Sequence, residues 1–202
     1  VDTCILMEAD ENMINTYSLL AVNPNAPFTD ADGNAVSDVK INADGAETFI
    51  DWMLSEASKL IKEYGVEEYG DNLFYLKDDA PKYDDKIANA SDENRVIRLS
   101  TTTSVKDSGL LDYILPVFEQ EYGYKVEVQS AGTGKAIAAA KYGNADVILV
   151  HSKAQEEAFV DEGFSYVLSG FDSERLSFMY NYFVLCGPSN DPAGVKDCGS
   201  VL

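Results

Sequence analysis

Two short turns carry the residues whose types and spacing could bind a ligand. Thr101-Thr102-Thr103-Ser104 and Ala131-Gly132-Thr133-Gly134 each follow a predicted strand and precede a predicted helix. Each turn offers hydroxyl groups, backbone N–H groups and the positive end of a helix dipole, and glycine lets the backbone approach a ligand closely. Together they could hold a small tetrahedral anion without any charged side chain. The candidate ligand-binding residues are Thr102, Thr103, Ser104, Gly132, Thr133 and Gly134.

The same residues also have a purely structural explanation, because Ser and Thr commonly cap helix N-termini. Neither turn has the Gly-x-x-x-x-Gly-Lys-Ser/Thr spacing of a phosphate-binding loop, and the glycine fingerprint of a dinucleotide site is absent as well. In an open α/β sheet, however, ligands bind at the carboxyl ends of the strands. Because the two turns belong to adjacent strand–helix units of one sheet, helix capping and anion binding both remain open as explanations.

Other chemistry has weaker support in the sequence. His151 is the single histidine of the chain. This argues against zinc sites and Ser-His-Asp sites that are built on several histidines. It follows a predicted strand, so it could line the same cleft or simply be a satisfied polar residue. Ser108 and His151 could be imagined as nucleophile and base, but no third partner is spaced for them, so we expect no catalysis. Asp30, Asp32 and Asp38 lack the Glu that would complete a calcium loop, so neither a metal nor a cofactor is expected.

Composition narrows the class of protein further. The chain has 202 residues, 46% of them hydrophobic, with 15 Lys and Arg against 35 Asp and Glu for a net charge of −20. The hydrophobic fraction is large enough for a buried core. The negative charge disfavours binding to nucleic acids and to anionic lipid surfaces. The residues from Val1 to Cys4 lack the pattern of a secretion signal, so any such signal would lie upstream or have been removed. Cys4 and Cys198 could form a disulfide, and Cys186 is expected to be buried.

Hydrophobic periodicity predicts the elements that position the turns. Strands are predicted over 14–22, 96–99, 125–129, 145–150 and 178–186, and helices over 46–64, 109–122, 135–142 and 154–162, with a loop at 25–45. Trp52 lies on the buried stripe of helix 46–64, and Pro116 predicts a kink or a broken turn. Alternating strands and helices after residue 95 indicate a mainly parallel sheet flanked by helices, an α/β fold.

Four blocks in the second half of the chain resemble, in order, the N-terminal half of tungstate-binding subunits of ABC importers. The blocks are 99–104, 107–113, 132–136 and 145–152, and the segment Met179-Tyr180-Asn181-Tyr182 through Gly187-Pro188 resembles the first crossing between the lobes of that family. The resemblance implies a type II periplasmic-binding-protein fold, in which two α/β lobes enclose an oxyanion. It also implies an extracytoplasmic protein, periplasmic or anchored at the cell surface. Tungstate or molybdate would be the ligand and an importer membrane subunit the partner.

The blocks stand in an unusual order. Residues 15–24 resemble the family's return crossing, and residues 49–65 resemble its closing helix, so the family's end precedes its beginning. Position 16 is Thr where the family tends to have Pro, and the family's middle section is missing. We therefore expect a circularly permuted single lobe, with the family's C-terminal segment at 1–83, a linker at 84–94 and its N-terminal segment at 95–202. A window on a tandem repeat, a true permutant and a choice of domain boundary would all give this order.

Two expectations follow from this arrangement. Strands 17–22 and 179–186 should lie side by side as the hinge strands. A lobe that kept the fold but lost the ligand would instead be an interaction module, a possible homodimer formed through an exposed apolar face around Tyr17, Tyr180 and Tyr182.

Overall fold

The computed structural model describes residues 2–200 as a six-stranded mixed sheet with helices on both faces and a separate two-stranded sheet. The strands are β1 (Thr3–Met7), β2 (Ile14–Ala21), β3 (Tyr75–Leu76), β4 (Val96–Thr102), β5 (Lys125–Ala131), β6 (Val147–Val150), β7 (Leu176–Tyr182) and β8 (Leu185–Pro188). The helices are α1 (Ala43–Leu54), α2 (Ala57–Glu63), α3 (Val66–Tyr69), α4 (Thr103–Asp107), α5 (Leu110–Tyr122), α6 (Thr133–Lys141) and α7 (Lys153–Asp161). The predicted α/β fold is confirmed. No helix within residues 2–200 is long and apolar enough to cross a bilayer.

The main sheet has the order β3-β7-β2-β6-β4-β5. Strand β4 is parallel to both β5 and β6, whereas β2 is antiparallel to β6 and β7. Four of the six strands therefore point the same way. The carboxyl ends of β4, β5 and β6 meet at one edge of the sheet, which we call the carboxyl rim.

The first third of the chain contributes a central strand to this sheet. In β2, Tyr17 is paired with Met179 of β7 and Leu19 with Leu149 of β6. The expectation that strands 17–22 and 179–186 are neighbours is thus confirmed for the part of each that forms β2 and β7. Both strands extend past the end of β6 at the carboxyl rim.

Alternate residues of the strands supply two hydrophobic clusters, one on each face of the sheet. Tyr17 and Leu19 of β2 enter the larger cluster with Trp52 of α1, and Leu20 enters the smaller one with Phe159 of α7. All five side chains are fully buried. The core position expected for Trp52 is confirmed, and each large apolar side chain buried in this way stabilises the fold by about 1.5–3 kcal/mol.

Several predicted boundaries differ from the structure. Helix 46–64 is two helices, because the backbone at Ser55 (φ −119°, ψ −88°) leaves the helical region after Leu54. The predicted broken turn at Pro116 does not occur, since α5 passes through this residue. Strand 178–186 is interrupted at 183–184, and its last residues belong to β8.

The cysteines differ from expectation as well. Cys186 is exposed rather than buried, because β8 pairs with β1 outside the main core. Cys4 lies in β1, which the sequence did not predict, opposite Gly187. Cys4, Cys186 and Cys198 are all free thiols, so the two ends of the chain are not joined by a disulfide.

Candidate functional site

The two predicted turns lie side by side on the carboxyl rim. In the parallel register of β4 and β5, Thr102 stands beside Ala131, so the residues that follow each strand begin at the same level. Strand β6 ends on the other side of β4, where Thr101 is paired with Leu149. The topology therefore brings all six candidate residues to one edge of one sheet.

A cluster of hydroxyl groups occupies the first turn. Thr102 is buried and ends β4, and its Oγ1 lies 3.0 Å from Oγ of the exposed Ser104. The same Ser104 oxygen lies 3.4 Å from the hydroxyl of Tyr17 and 3.5 Å from Nε2 of His151. Ser104 therefore joins the end of β4 to the hinge strand β2 and to the residue that follows β6.

Burial sets the protonation state around Ser104. Desolvation raises the pKa of Tyr17 above its ordinary value, against the opposing effect of hydrogen bonds from Ser104, Asn181 and Asn15. Desolvation also lowers the pKa of His151. At neutral pH both side chains are therefore uncharged, and the rim presents neutral donors and acceptors.

Side-chain capping does not account for the two turns. The N-cap residues, Thr102 for α4 and Gly132 for α6, make no side-chain cap hydrogen bond. The first N–H groups of any α-helix lack acceptors within the helix. In α6 the carbonyl of Gly132 accepts from the N–H groups of Lys135 and Ala136, so the amides of Thr133 and Gly134 precede the first backbone hydrogen bonds of the helix. Helix N-termini of this kind favour negative charge.

The candidate residues differ in exposure, which separates their possible roles. Thr103, Ser104, Gly132 and Gly134 are exposed, Thr133 is half-buried and Thr102 is buried. A Cβ added at Gly132 would meet nothing within 4 Å, whereas one at Gly134 would lie 3.3 Å from Oε1 of Gln155. Space therefore leaves position 132 open to a side chain, whereas a side chain at position 134 would require the flexible end of Gln155 to shift slightly.

Other sequence candidates lie apart from the rim. Oγ of Ser108 donates to the carbonyl of Val105, and His151 contacts Ser104 instead, so the imagined nucleophile–base pair is not assembled. The Asp30 carboxylate accepts hydrogen bonds from the backbone of Asp32 and Asn34 in an exposed turn. Within residues 2–200, no group of three or more His, Cys, Asp or Glu side chains could hold a metal ion.

Sequence reasoning missed the polar pair on the hinge strands. Nδ2 of Asn15 in β2 donates to the hydroxyl of Tyr17 (2.9 Å) and to Oδ1 of Asn181 in β7 (3.1 Å). Asparagine is depleted in strands, yet each of the two hinge strands, β2 and β7, contains one. This unusual position is the signal from which the pair could have been found. An exposed apolar face around Tyr17, Tyr180 and Tyr182 would have favoured an interaction module, but Tyr17 is fully buried and cannot contribute to such a face.

Comparisons with known proteins agree with this architecture. The family model described as a PBP superfamily domain matches residues 88–199. The tungstate-binding protein TupA of Peptoclostridium acidaminophilum is 51% identical over 100 residues, which cover 50% of this chain and 32% of that protein. A putative ABC transporter anion-binding protein of Haloferax volcanii is 44% identical over 100 residues, covering 50% of this chain and 27% of that protein.

Solved structures include a tungstate-binding protein TupA from Desulfovibrio alaskensis G20, with 42% identity and a TM-score of 0.34 over 34% of this chain and 28% of that chain. The chain thus spans about a third or less of the curated relatives that it matches. The resemblance to tungstate-binding subunits is confirmed for half of the chain. Because the family model spans more than half of the residues, this chain belongs to the PBP superfamily.

Proposed function

We propose that the chain is a lobe of an extracytoplasmic solute-binding protein that binds a tetrahedral oxyanion, tungstate or molybdate, and delivers it to the membrane subunit of an ABC importer. The observation that carries this proposal is the register that sets Thr102 beside Ala131, within the segment that matches the family. Relatives named as tungstate-binding and anion-binding proteins support the ligand class. They are binding proteins, which favours transport over catalysis.

The rim has the chemistry that an oxyanion requires. Thr102, Thr103, Ser104 and Thr133 offer hydroxyl donors, and the amides around Gly132 and Gly134 add backbone donors at a helix N-terminus. None of these groups is charged, so each can approach an anion without giving up a salt bridge. The net charge of −20 opposes the approach of an anion, but exposed charges are largely screened beyond about 10 Å at 0.1 M salt.

A single lobe supplies only part of an anion cage. Each buried oxygen left without a donor costs about 1–3 kcal/mol. We infer that 1–83 and 95–202 are the family's C-terminal and N-terminal segments in permuted order, joined by the linker 84–94. The central position of β2 between β6 and β7 supports this inference, because segments from both parts complete one sheet. The residues that would face the anion from a second lobe are not part of this arrangement.

Titration of the purified chain with tungstate, molybdate, sulfate and phosphate tests the proposal. Calorimetry should give weak or undetectable binding, since half of the donors are missing. Sub-micromolar tungstate binding to the monomer would overturn the half-site argument. In amide NMR spectra, millimolar tungstate should shift the signals of 102–104 and 132–134. Unmoved signals at both turns would overturn the oxyanion site itself.

Matched variants test whether the tungstate-induced shifts arise from binding at the carboxyl rim. Thr133→Val and Ser104→Ala each remove one rim hydroxyl, and we expect each to reduce the tungstate-induced shifts. Thr48→Val is the control, because it removes a hydroxyl that bonds to the carbonyl of Asp44 within α1. Equal loss in the control and in the rim variants would contradict the assignment.

A second candidate function is an interaction module that works as a homodimer. It is favoured by exposed apolar side chains around the β1–β8 sheet, namely Ile5 (49% exposed), Phe183 (57%), Val184 (47%) and Leu185 (40%). Light scattering discriminates between the two functions. A stable dimer whose spectra do not respond to any oxyanion would favour the interaction module, whereas a monomer whose rim amides respond to tungstate would exclude it.

A further inference from the structure

A cleft of about 480 Å³ adjoins the carboxyl rim, beside the first turn of α7 and the outer ends of the hinge strands. Its charged or titratable lining consists of Lys77, Lys153, Arg175 and His151. Acidic residues outnumber basic ones 35 to 15 in this chain, yet none of the described residues that line the cleft is acidic. The larger cavity of about 710 Å³ next to β3 has the mixed charge expected of the surface, with Asp78 and Asp84 in its wall.

The counter-ions of the three cations lie outside the lining of the cleft. Lys77 is paired with Asp79 (3.0 Å) and Lys153 with Glu157 (3.6 Å), and both carboxylates are largely exposed. Asp79 and Glu157 can therefore turn toward solvent when another anion approaches the lysines. Exposed surface pairs of this kind contribute little to stability, so exchanging such a partner for a bound anion costs little.

Arg175 is held in place more firmly than the lysines. Its Nε donates to Oε2 of Glu156, a carboxylate with no exposed surface. Oε1 of Glu156 accepts from the backbone N–H of Ser152, just before α7 (2.7 Å). A guanidinium anchored through Nε keeps its two Nη groups as a fork for a carboxylate or a phosphate. The cleft thus combines one oriented fork with two flexible ammonium groups.

The size and walls of the cleft indicate an organic ligand. Small-molecule sites typically measure about 300–1,000 Å³, which is far more than a single tetrahedral oxyanion needs. Ile14 and Phe183 add apolar wall, with 41% and 57% of their surface exposed. We propose that this cleft binds a small organic anion with two or more carboxylate groups, at a site separate from the hydroxyl-lined rim.

The two sites differ in the groups that they offer. The rim uses hydroxyls and amides, whereas the cleft uses permanent positive charges. His151 lies between them, since it lines the cleft and approaches Ser104. Binding in the cleft is therefore expected to perturb His151 but to leave the amides of 132–134 unmoved, which separates this proposal from the proposed function.

Titration of the full chain with citrate, followed by amide NMR, tests the proposal. We expect saturable shifts at 14–16, 151–153 and 175–177, and inorganic phosphate should bind at least tenfold more weakly. Equal affinity for phosphate would overturn the assignment to an organic ligand. Shifts that are absent, or that rise without saturation over the whole surface, would overturn the site. The outcome of the tungstate titration has no bearing on either result.

Paired variants control for net charge. The double variant Lys77→Gln/Lys153→Gln removes two cleft lysines while keeping the buried Arg175–Glu156 pair, and citrate affinity should fall at least tenfold. Lys106→Gln/Lys125→Gln removes the same charge from another cleft, where these lysines are paired with Asp112 and Glu119. Its citrate affinity should change less than twofold. Equal losses in the two double variants would overturn the proposal in favour of diffuse attraction.

Discussion

Two buried carboxylates of this chain have opposite surroundings. Asp146, 1% exposed, accepts hydrogen bonds from the backbone N–H, Nε and Nη2 of Arg98 and from the backbone N–H of Asn42. Asp51 of α1 is 8% exposed, and its buried Oδ1 has no hydrogen-bond partner. Pairing offsets the cost of burying the charge at Asp146, whereas at Asp51 that cost is only partly offset, by a hydrogen bond from Tyr83.

The pKa of Asp51 makes the stability of the fold depend on pH. Desolvation, with a smaller contribution from the nearby Glu47 carboxylate, raises this pKa to about 7 against the opposing effect of a hydrogen bond from Tyr83. The folded state thus binds the proton more tightly than the unfolded state. The stabilising contribution is fully present below the unfolded value of 3.8 and is lost as pH rises through about 7.

Replacing Asp51 with Asn should therefore stabilise the protein at pH 8, by about 1–3 kcal/mol, and by less at pH 5. Urea denaturation of both proteins at the two pH values measures the difference. Asp44→Asn, on the exposed side of the same helix, should leave the pH dependence unchanged. A gain from Asp51→Asn that is equal at both pH values would contradict the titration of a buried carboxyl group.

Neither environment could be derived from the sequence. Asp146 lies in the predicted strand 145–150 and Asp51 lies on the predicted helix 46–64, but neither position shows which groups surround the carboxylate. The partner of Asp146 is 48 residues away, and the hydrogen bond to Asp51 comes from Tyr83, outside the helix. Long-range contacts of this kind leave no local signal.

At the scale of elements, Asn42 connects the start of α1 to the start of β4. Its Oδ1 accepts from the N–H of Gly45 (2.9 Å), while its Nδ2 donates to the carbonyls of Asn94 and Val96 (both 2.7 Å). One side chain therefore caps a helix and fixes that helix against the strand that leads to the rim.

Variants at Asn42 separate these two roles. Asn42→Ala loses the cap and both donors, so we expect a loss of about 1–3 kcal/mol in the free energy of unfolding. Asn42→Asp keeps an oxygen for Gly45 but has no N–H to donate, so its stability should be intermediate. Thermal denaturation of the unmodified protein and the two variants gives the order of their stabilities. An Asp variant as stable as the unmodified protein would contradict the contribution of the two donated hydrogen bonds.

Sequence periodicity predicted which segments form helices and strands better than it predicted where each of them begins and ends. The apolar stripe of 46–64 continues across the break at Ser55, where no Gly or Pro marks an interruption. Oγ of Ser58 donates to the carbonyl of Ser55 and stabilises that break, a contact that periodicity cannot detect. The turns at 101–104 and 131–134 were predicted correctly as the ends of parallel strands, because adjacent parallel strands end at the same edge.

At the scale of the molecule, the leading third of the chain is essential to the sheet. Strand β2 lies between β6 and β7, so without it each of these strands would lose one of its two neighbours and the sheet would be divided in two. The two clusters would also lose Tyr17, Leu19 and Leu20. The pairing of β2 with β7 was predicted from the family resemblance, whereas the pairing of β2 with β6 was not predicted. The β1–β8 pair was not predicted either, because its strands are short and about 180 residues apart.

Cleavage between Asp92 and Glu93, both exposed in the linker, should give two segments that fold only together. We expect 1–92 and 93–202 to lack stable structure when separate, and to recover the circular dichroism and elution volume of the intact chain when mixed. Cleavage after Pro116, inside α5, should prevent recovery. A stably folded 93–202 segment would contradict the single-lobe arrangement.

The chain passes twice between the main sheet and the β1–β8 pair, through residues 8–13 and 183–184. The backbone N–H of Phe183 donates a hydrogen bond to the backbone carbonyl of Met13 (2.8 Å), and this bond joins the two connecting segments. Two connections joined by a hydrogen bond restrict rotation of the β1–β8 pair more than one connection would. The β1–β8 pair is therefore held beside the end of the main sheet at which β2 begins and β7 ends.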